Sequence, residues 1–251
     1  MLIFDFDGVL MDSLDEIVVT AYNAAQETLL TSLDNLPPEV VILFKQNRYH
    51  FQPIGDALPL MAWCLENYRK TPDKYLSPEE FRALVKNALK PLAYRTDYFF
   101  ATRRSLIDAD KRRWLALNKP YQPLWDALIK YGSEKIVILT NKNRQATALL
   151  CRNFNLDISN ENIYSGDRGT TKIENLYEIQ KRFKHTSYTF IDDLLANLQE
   201  LAAHCNKNGP IIDLLYASWG YGGPGESEAA RQAGFTVVNQ TDLIAMLEVD
   251  R

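Results

Sequence analysis

Two aspartates stand one residue apart near the start of the chain, where the sequence reads LIFDFDGVLMDS from Leu2 to Ser13. Asp5 and Asp7 follow an apolar run that is typical of a buried strand, and side chains two residues apart in a strand point to the same side. Two carboxylates at that distance repel each other. We therefore expect a cationic group between them.

Other polar side chains follow other strand-like runs. Thr140 and Asn141 close KIVILT, Asp192 and Asp193 close SYTFIDD, and Lys172 lies in the glycine-containing segment GDRGTTKIENL ahead of a helical pattern. Ligands of open parallel sheets bind beyond the carboxyl ends of the strands. If these runs form one such sheet, the carboxylates, the hydroxyl and the ammonium group belong to one site.

The chemistry of that donor set is specific. Hard carboxylate oxygens without accompanying histidine or cysteine favour Mg²⁺. A carboxylate can attack phosphorus to give an aspartyl-phosphate, and a metal ion, a lysine and a hydroxyl can stabilise the charge on the phosphoryl oxygens. The residues therefore predict phosphoryl transfer.

Plainer interpretations stand beside this one. Thr140 and Asn141 could cap the helix that follows them. Lys172 could be a solvated lysine in a first helical turn, where it would oppose the helix dipole. The segment GYGGPG (Gly220 to Gly225) matches a dinucleotide-binding pattern with Asp242 downstream, but about 30 residues after it are too few for such a fold. We interpret it as a turn after one of the last core strands.

The elements that must position these residues alternate from Lys135 onward. Apolar runs in KIVILT, SYTFIDD, IIDLLYASWG and FTVVN are each followed by a helical pattern. Such runs, buried on both faces and separated by helices, predict an α/β fold with a doubly wound, Rossmann-like parallel sheet. The first strand, from Leu2 to Phe6, should join that sheet.

More than a hundred residues separate the first strand from KIVILT, whereas a parallel crossover needs about a dozen. The intervening patterns are mostly helical, with breaks at prolines that include Pro37, Pro38, Pro78 and Pro91. We predict a core domain made of residues 1–13 and 119–251, and an inserted all-helical cap domain at residues 14–118.

The motifs in this order resemble the haloacid dehalogenase superfamily of phosphotransferases. DFDGVL is similar to its first motif, ILTN to its second, Lys172 to its third and IDDLLAN to its fourth, while TNK and SWGYG are similar to phosphoglycolate-phosphatase-like members with a helical C1-type cap. The resemblance implies that Asp5 is the nucleophile and Asp7 the general acid and base.

The same resemblance implies that Thr140, Asn141 and Lys172 hold the phosphoryl group. It implies that Mg²⁺ is bound by Asp5, by the backbone carbonyl of Asp7, and by Asp193 or Asp192. Dehalogenating members lack an acid at the position of Asp7, so dehalogenation is disfavoured. Gly8 fits a tight exit from the strand with an unusual backbone angle.

One stretch of the cap segment carries an excess of positive charge within an acidic chain. Its stretch from Asp34 to Arg113 holds 14 Lys or Arg against 10 Asp or Glu, although the whole chain has a net charge of −4. Arg48, His50, Arg103 and Arg104 are candidates for binding the rest of an anionic substrate. The alternative is that they solvate helix faces, or that His50 is a partly buried structural histidine.

Composition excludes several classes. A pI near 5.5 argues against a nucleic-acid partner. Cys64, Cys151 and Cys205 lack disulfide or zinc spacing, so we expect buried thiols in a reducing compartment. No leader-like start and no run of about 18 apolar residues is present. We expect a cytoplasmic protein without a membrane partner, and nothing in the sequence predicts its oligomeric state.

The combined prediction is a Mg²⁺-dependent phosphatase that hydrolyses a small phosphorylated metabolite. A sugar-phosphate mutase of the same superfamily would share the chemistry and differ in excluding water. A phospho-acceptor signalling domain would use a similar acidic cluster, but such domains are about half this length. A superfamily member without turnover that acts as a binding module is the third alternative.

Overall fold

The computed structural model describes residues 1–205 and 211–249 of the chain. The chain forms two compact units, one made of Met1–Asp12 and Lys119–Arg251 and the other of Ser13–Asn118. Ser13, which the sequence analysis grouped with the core segment, lies in the second unit. It directly precedes the first helix of that unit.

The regular elements are named in chain order. The strands are β1 (Leu2–Phe4), β2 (Met11–Asp12), β3 (Lys119–Pro120), β4 (Ile136–Thr140), β5 (Ile163–Ser165), β6 (Ser187–Asp192), β7 (Ile211–Ala217) and β8 (Thr236–Val238). The α-helices are α1 (Leu14–Gln26), α2 (Pro38–Gln46), α3 (Ala57–Asn67), α4 (Pro78–Lys86), α5 (Leu92–Ala109), α6 (Lys111–Ala116), α7 (Gln122–Tyr131), α8 (Arg144–Asn153), α9 (Lys172–Phe183), α10 (Leu195–Cys205), α11 (Glu226–Gln232) and α12 (Gln240–Val249). Short 3₁₀ turns lie at Leu33–Asn35, Arg48–His50, Ile54–Asp56, Ser133–Lys135, Asn160–Asn162 and Asp167–Gly169.

The first unit contains the predicted parallel sheet. Its strand order within the described residues is β5-β4-β1-β6-β7-β8, and the neighbouring strands pair in parallel. All residues of β4 are buried, as expected for a strand with helices on both faces. The α/β fold with a parallel sheet is therefore confirmed.

Two details of the sheet differ from the prediction. β1 ends at Phe4 rather than Phe6, so Asp5 and Asp7 lie beyond the strand. The edge strand β5 was not predicted, because its three residues are too few to show a strand period. β5 pairs with β4 and extends the sheet on that side.

Helices cover the sheet through apolar side chains. Leu176 and Ile179 of α9 and Leu198 of α10 belong to one buried cluster with Val137 of β4 and Phe190 of β6. These residues recur at helical spacing on the helices and as apolar runs on the strands, which is the pattern that predicted the fold. Their burial fixes the helix starts relative to the strand ends.

The second unit contains α1 to α6, with α1 in contact with α3 and α5. Pro38 and Pro78 occupy first helical positions, and Pro37 and Pro91 directly precede α2 and α5. Proline is tolerated there because the first amide groups of a helix lack intrahelical partners. These four of the predicted proline breaks are thus helix starts.

The chain leaves the first unit after Asp12 and returns at Lys119 through an unpredicted pair of short strands. β2 and β3 are antiparallel, with Met11 opposite Pro120 and Asp12 opposite Lys119. The two ends of the insertion are therefore held together by backbone pairing within the first unit.

Cys64 and Cys151 are buried free thiols, as predicted. The side chain of Cys205 lies outside what the structure describes. Among residues 1–205 and 211–249, no helix combines the length and the apolar character that crossing a bilayer requires.

Candidate active site

The carboxyl ends of three adjacent strands bring the predicted residues together. β1 lies between β4 and β6, so Asp5 after β1, Thr140 at the end of β4 and Asp192 at the end of β6 are neighbours at one edge of the sheet. The amide of Asp5 still donates to Ile191 O at 2.9 Å, which holds this residue against β6. Parallel pairing thus positions the site.

Three buried carboxylates lie at the centre of the site, where the carboxyl ends of these strands meet. Asp5, Asp192 and Asp193 each offer an oxygen, and these oxygens lie within 4.8 Å of one another. Burial raises the pKa of Asp5 to about 7; Lys172 opposes this effect, and the charges of Asp192 and Asp7 add to it. Carboxylates this close repel each other, and a cation between them would relieve that repulsion. A donor set made only of oxygen atoms fits Mg²⁺.

Lys172 supplies one cation to the cluster. Its ammonium group lies 2.5 Å from Asp192 Oδ2 and 3.2 Å from Asp5 Oδ1. A capping box of Thr171 and Glu174 fixes the start of α9 and so directs this first-turn lysine. Burial opposes its charge, but the two carboxylates prevail and raise the pKa of Lys172 above its ordinary value. The interpretation of Lys172 as a solvated lysine is wrong, because the residue is buried.

The paired aspartates after β6 have different surroundings. Asp192 Oδ1 accepts from Leu194 N at 2.9 Å and Asn197 Nδ2 at 3.1 Å, while its Oδ2 accepts from the same Asn197 nitrogen at 3.0 Å and from Lys172. Asp193 Oδ2 accepts from Tyr221 N at 2.6 Å. Both carboxylate oxygens of Asp192 therefore accept hydrogen bonds from neighbouring groups, including the Lys172 ammonium group.

The Asp7 side chain does not join the three-carboxylate cluster. Its Oδ1 lies 3.0 Å from the ammonium group of Lys142, whose side chain is fully buried. Lys142 belongs to the TNK motif but was not among the predicted site residues. A lysine two residues after a buried strand end, beside other site residues, was the available signal.

The turn that follows Asp7 requires glycine at position 8. Gly8 has a φ of +89°, which confirms the predicted unusual backbone angle. A Cβ atom there would lie 2.0 Å from Asp193 Oδ2. The chain thus passes so close to the acidic cluster that a larger residue would displace Asp193.

Thr140 and Asn141 do not cap the following helix. The N-cap of α8 is Asn143, so that interpretation of the two residues is wrong. Thr140 is buried and its Oγ1 accepts from Lys142 N at 3.1 Å, while Asn141 is exposed. The hydroxyl therefore shapes the turn that carries Lys142.

No protein-family model and no curated protein matches the sequence. Solved structures do match it over nearly the whole chain. A predicted phosphatase from Clostridium acetobutylicum aligns with a TM-score of 0.58 at 16% identity, covering 100% of this chain and 98% of that one. A haloacid dehalogenase-like hydrolase from Streptococcus pneumoniae aligns at 0.56 and 14% identity, covering 98% and 96%.

A predicted phosphoglycolate phosphatase from Haemophilus somnus aligns with a TM-score of 0.58 at 15% identity, covering 98% of this chain and 96% of that one. The chain has the haloacid dehalogenase fold. The predicted resemblance is confirmed at the level of the fold: Asp5, Thr140 and Asp192 lie at the ends of the central strands, and Lys172 lies in the first turn of α9.

The segment GYGGPG, which matches a dinucleotide-binding pattern, lies in a turn after one of the last core strands, as predicted. Gly220 to Gly225 lie between β7 and α11, and within residues 226–249 only α11, β8 and α12 follow. The segment is a turn beside the site, as the contact of Tyr221 with Asp193 shows.

The candidate substrate residues of the insertion have mostly intramolecular partners. Arg103 forms a two-pronged pair with Glu16, with nitrogen to oxygen distances of 2.8 Å, and both side chains are buried. Arg48 is also buried; its Nη1 donates to Phe51 O at 2.8 Å. For these two residues the alternative of a solvated helix face is wrong.

His50 and Arg104 differ from the two buried arginines. A ring nitrogen of His50 lies 2.8 Å from Leu76 O, and the ring stacks on Phe81 with centroids 5.0 Å apart. Burial lowers the pKa of His50. Arg104 is exposed. A substrate contact by any of these four residues stays a prediction.

Proposed function

We propose that this protein hydrolyses small phosphate monoesters through a phosphoenzyme formed on Asp5. One observation carries the proposal. The Asp5 carboxylate is buried in a cluster with Asp192 and Asp193 and faces the Lys172 ammonium group, while Asp7 stands apart on Lys142. Two carboxylates in different electrostatic surroundings suit a nucleophile and a proton carrier.

The proposed reaction has two steps. In the first, an Asp5 oxygen bonds to phosphorus, the ester P–O bond breaks, and Asp7 gives a proton to the leaving alcohol. In the second, Asp7 takes a proton from water, the water oxygen bonds to phosphorus, and the bond between phosphorus and Asp5 breaks. Inorganic phosphate leaves and both aspartates return to their starting states.

The proposed metal ion is Mg²⁺, held by Asp5 and Asp193. Its chemistry would be to neutralise charge on the carboxylates and on the phosphoryl oxygens. Asp192 has less capacity as a ligand because its oxygens already accept from Lys172, Leu194 and Asn197. We assign it the role of holding Lys172, which with Thr140 and Asn141 would bind the phosphoryl group.

The proposed substrate is a small phosphorylated metabolite. The solved neighbours with the same fold include proteins described as phosphatases, one of them a phosphoglycolate phosphatase. The excess of basic residues between Asp34 and Arg113 favours an anionic substrate, whereas the net charge of −4 argues against nucleic acid. The buried free thiols Cys64 and Cys151 support a reducing, cytoplasmic location.

The test is phosphate release from p-nitrophenyl phosphate and a panel of small phosphate esters, with Mg²⁺ and with EDTA. Metal-dependent turnover in the wild type, lost in Asp5→Asn and kept in Asp126→Asn, would support the proposal. Asp126 is an exposed aspartate of α7 and serves as the matched control. Mass spectrometry of quenched reactions should place one phosphoryl group on the peptide that contains Asp5.

Other outcomes would point to the alternatives. A phosphoprotein that persists without turnover would favour a phospho-acceptor domain. Transfer of the phosphoryl group to an added sugar phosphate rather than to water would favour a mutase. Mg²⁺ binding without any phosphoenzyme would overturn the hydrolase proposal in favour of a binding role.

A further inference from the structure

The segment SWGYG, Ser218 to Gly222, contacts both Asp193 and the turn that follows Asp7, and it supplies no reacting group. It follows β7, the neighbour of β6, and so leaves the sheet beside Asp193. The amide of Tyr221 donates to Asp193 Oδ2 at 2.6 Å. One end of this segment is thus attached to a carboxylate of the acidic cluster.

The side chains of the same segment reach the turn that follows Asp7. Trp219 Nε1 donates to Val9 O at 3.0 Å. The hydroxyl of Tyr221 donates to Asp12 Oδ1 at 3.1 Å and lies 3.5 Å from Met11 O. Val9, Met11 and Asp12 of that turn are therefore hydrogen-bonded to the segment.

Close packing adds to these hydrogen bonds. A Cβ atom on Gly220 would lie 2.2 Å from Asp193 Cβ and 2.6 Å from Gly8 O. A Cβ atom on Gly8 would in turn meet Asp193 and the Tyr221 ring. Only glycine allows the two turns to approach this closely, so their spacing is fixed by contact as well as by hydrogen bonds.

We propose that Trp219 and Tyr221 are positioning residues that tie the turn carrying Asp7 to the loop carrying Asp193. This inference rests on the proposed function, because it assigns Asp7 the proton transfers. Asp7 follows a strand that ends at Phe4, so the backbone of β1 does not itself hold the aspartate in the sheet. The turn is closed by its own backbone hydrogen bonds, such as Gly8 N to Met11 O at 2.8 Å, and the two aromatic side chains attach it to the loop that carries Asp193.

The proposal predicts a loss that depends on the leaving group. Proton donation matters most for alkyl esters, whose alcohols leave poorly, and least for p-nitrophenyl phosphate. Tyr221→Phe and Trp219→Phe should therefore lower kcat for an alkyl phosphate by about ten-fold or more, and lower the rate of p-nitrophenol release by less than about three-fold. KM for both esters should change little.

The experiment compares single-turnover rates of the two esters for the wild type, both variants and Tyr177→Phe. Tyr177 is an exposed tyrosine whose hydroxyl lies 3.4 Å from His204 O, and it serves as the matched control. Equal losses on the two esters would overturn the positioning role, because general destabilisation affects both. Wild-type rates in both variants would overturn it as well.

Hydrogen exchange separates this inference from the proposed function. In the full-length protein, exchange in the peptide spanning residues 6–12 should rise in Trp219→Phe and Tyr221→Phe, while β4 keeps its protection. This readout applies even if the wild type hydrolyses no ester, which would count against the phosphatase proposal alone. Unchanged exchange at residues 6–12 would show that the contacts do not hold the turn and would overturn the inference.

Discussion

The ammonium group of Lys142 lies 3.0 Å from Asp7 Oδ1, and the lysine side chain is buried. A charge-assisted hydrogen bond from a buried lysine fixes the direction of a carboxylate. Here the pair keeps Asp7 apart from the cluster of Asp5, Asp192 and Asp193. The two aspartates that begin one residue apart in sequence thus acquire different partners.

Lys142→Met should slow the enzyme by releasing Asp7 from this position. We expect kcat to fall by roughly ten-fold to a hundred-fold, within the range that a general acid contributes. The measurement is steady-state turnover of an alkyl phosphate, with Lys130→Met, an exposed site on α7, as the control. Unchanged kcat with a raised KM would instead show that Lys142 binds substrate.

Asp5→Asn should change how stability depends on pH in the metal-free protein. The pKa of Asp5 is raised to about 7, so its contribution to stability is fully present below the ordinary pKa of 3.8 and is lost as pH rises through about 7. The variant lacks this loss. Relative to the wild type, it should gain up to about 4 kcal/mol between pH 4 and pH 8.

The measurement for Asp5→Asn is denaturant unfolding in EDTA at several pH values, with Asp126→Asn as the control. Parallel profiles for the variant and the wild type would contradict the prediction. At pH 8, added Mg²⁺ should make the wild type more stable than Asp5→Asn, because a metal ion stabilises the state that binds it.

Sequence reasoning was most accurate where the local pattern and the fold agree. The apolar runs before Thr140 and Asp192 are mostly buried, so their parallel pairing and the meeting of their carboxyl ends followed from these runs and the helical patterns between them. Lys142 was missed because its role depends on a partner 135 positions away in the chain. Such a long-range pairing leaves no regular spacing between its two partners, so the position of Lys142 just after a strand end was its only signal in the sequence.

The basic residues of the insertion show the same limit. Arg103 and Arg104 are adjacent in sequence, yet one is buried against Glu16 and the other is exposed. Helix α5 turns about 100° per residue, so neighbouring side chains face different surroundings. A count of charged residues could not tell which arginine forms a buried structural ion pair and which is exposed.

Asp192→Asn and Asp193→Asn should separate structure from metal binding. Asp192 holds the buried Lys172 ammonium, so its replacement should cost about 3 to 5 kcal/mol of stability. Asp193→Asn should cost less stability and weaken Mg²⁺ binding by more than ten-fold. Calorimetric titration with Mg²⁺ and thermal unfolding of the metal-free variants would check both, and the reverse ranking would show that Asp192 is the main ligand.

Gly8→Ala should damage the site even though it removes no functional group. The new Cβ would lie 2.0 Å from Asp193 Oδ2, and alanine is strained at a φ of +89°. We expect a loss of about 1 to 3 kcal/mol of stability together with weaker Mg²⁺ binding. Gly234→Ala is the control, since it has a similar φ of +87° with nothing within 4 Å of its Cβ position. Equal losses in the two variants would show that glycine is needed at position 8 only because of its positive φ, and not because of the close approach to Asp193.

Arg103→Met tests whether the insertion uses this arginine for structure or for substrate. Its guanidinium makes two contacts of 2.8 Å with the buried Glu16 carboxylate, so its removal leaves an uncompensated charge. Stability should fall by about 3 to 5 kcal/mol, and adding Glu16→Gln should recover part of that loss. Unfolding of the single and double variants measures the coupling. A raised KM with unchanged stability would contradict the structural role and return Arg103 to the substrate contacts.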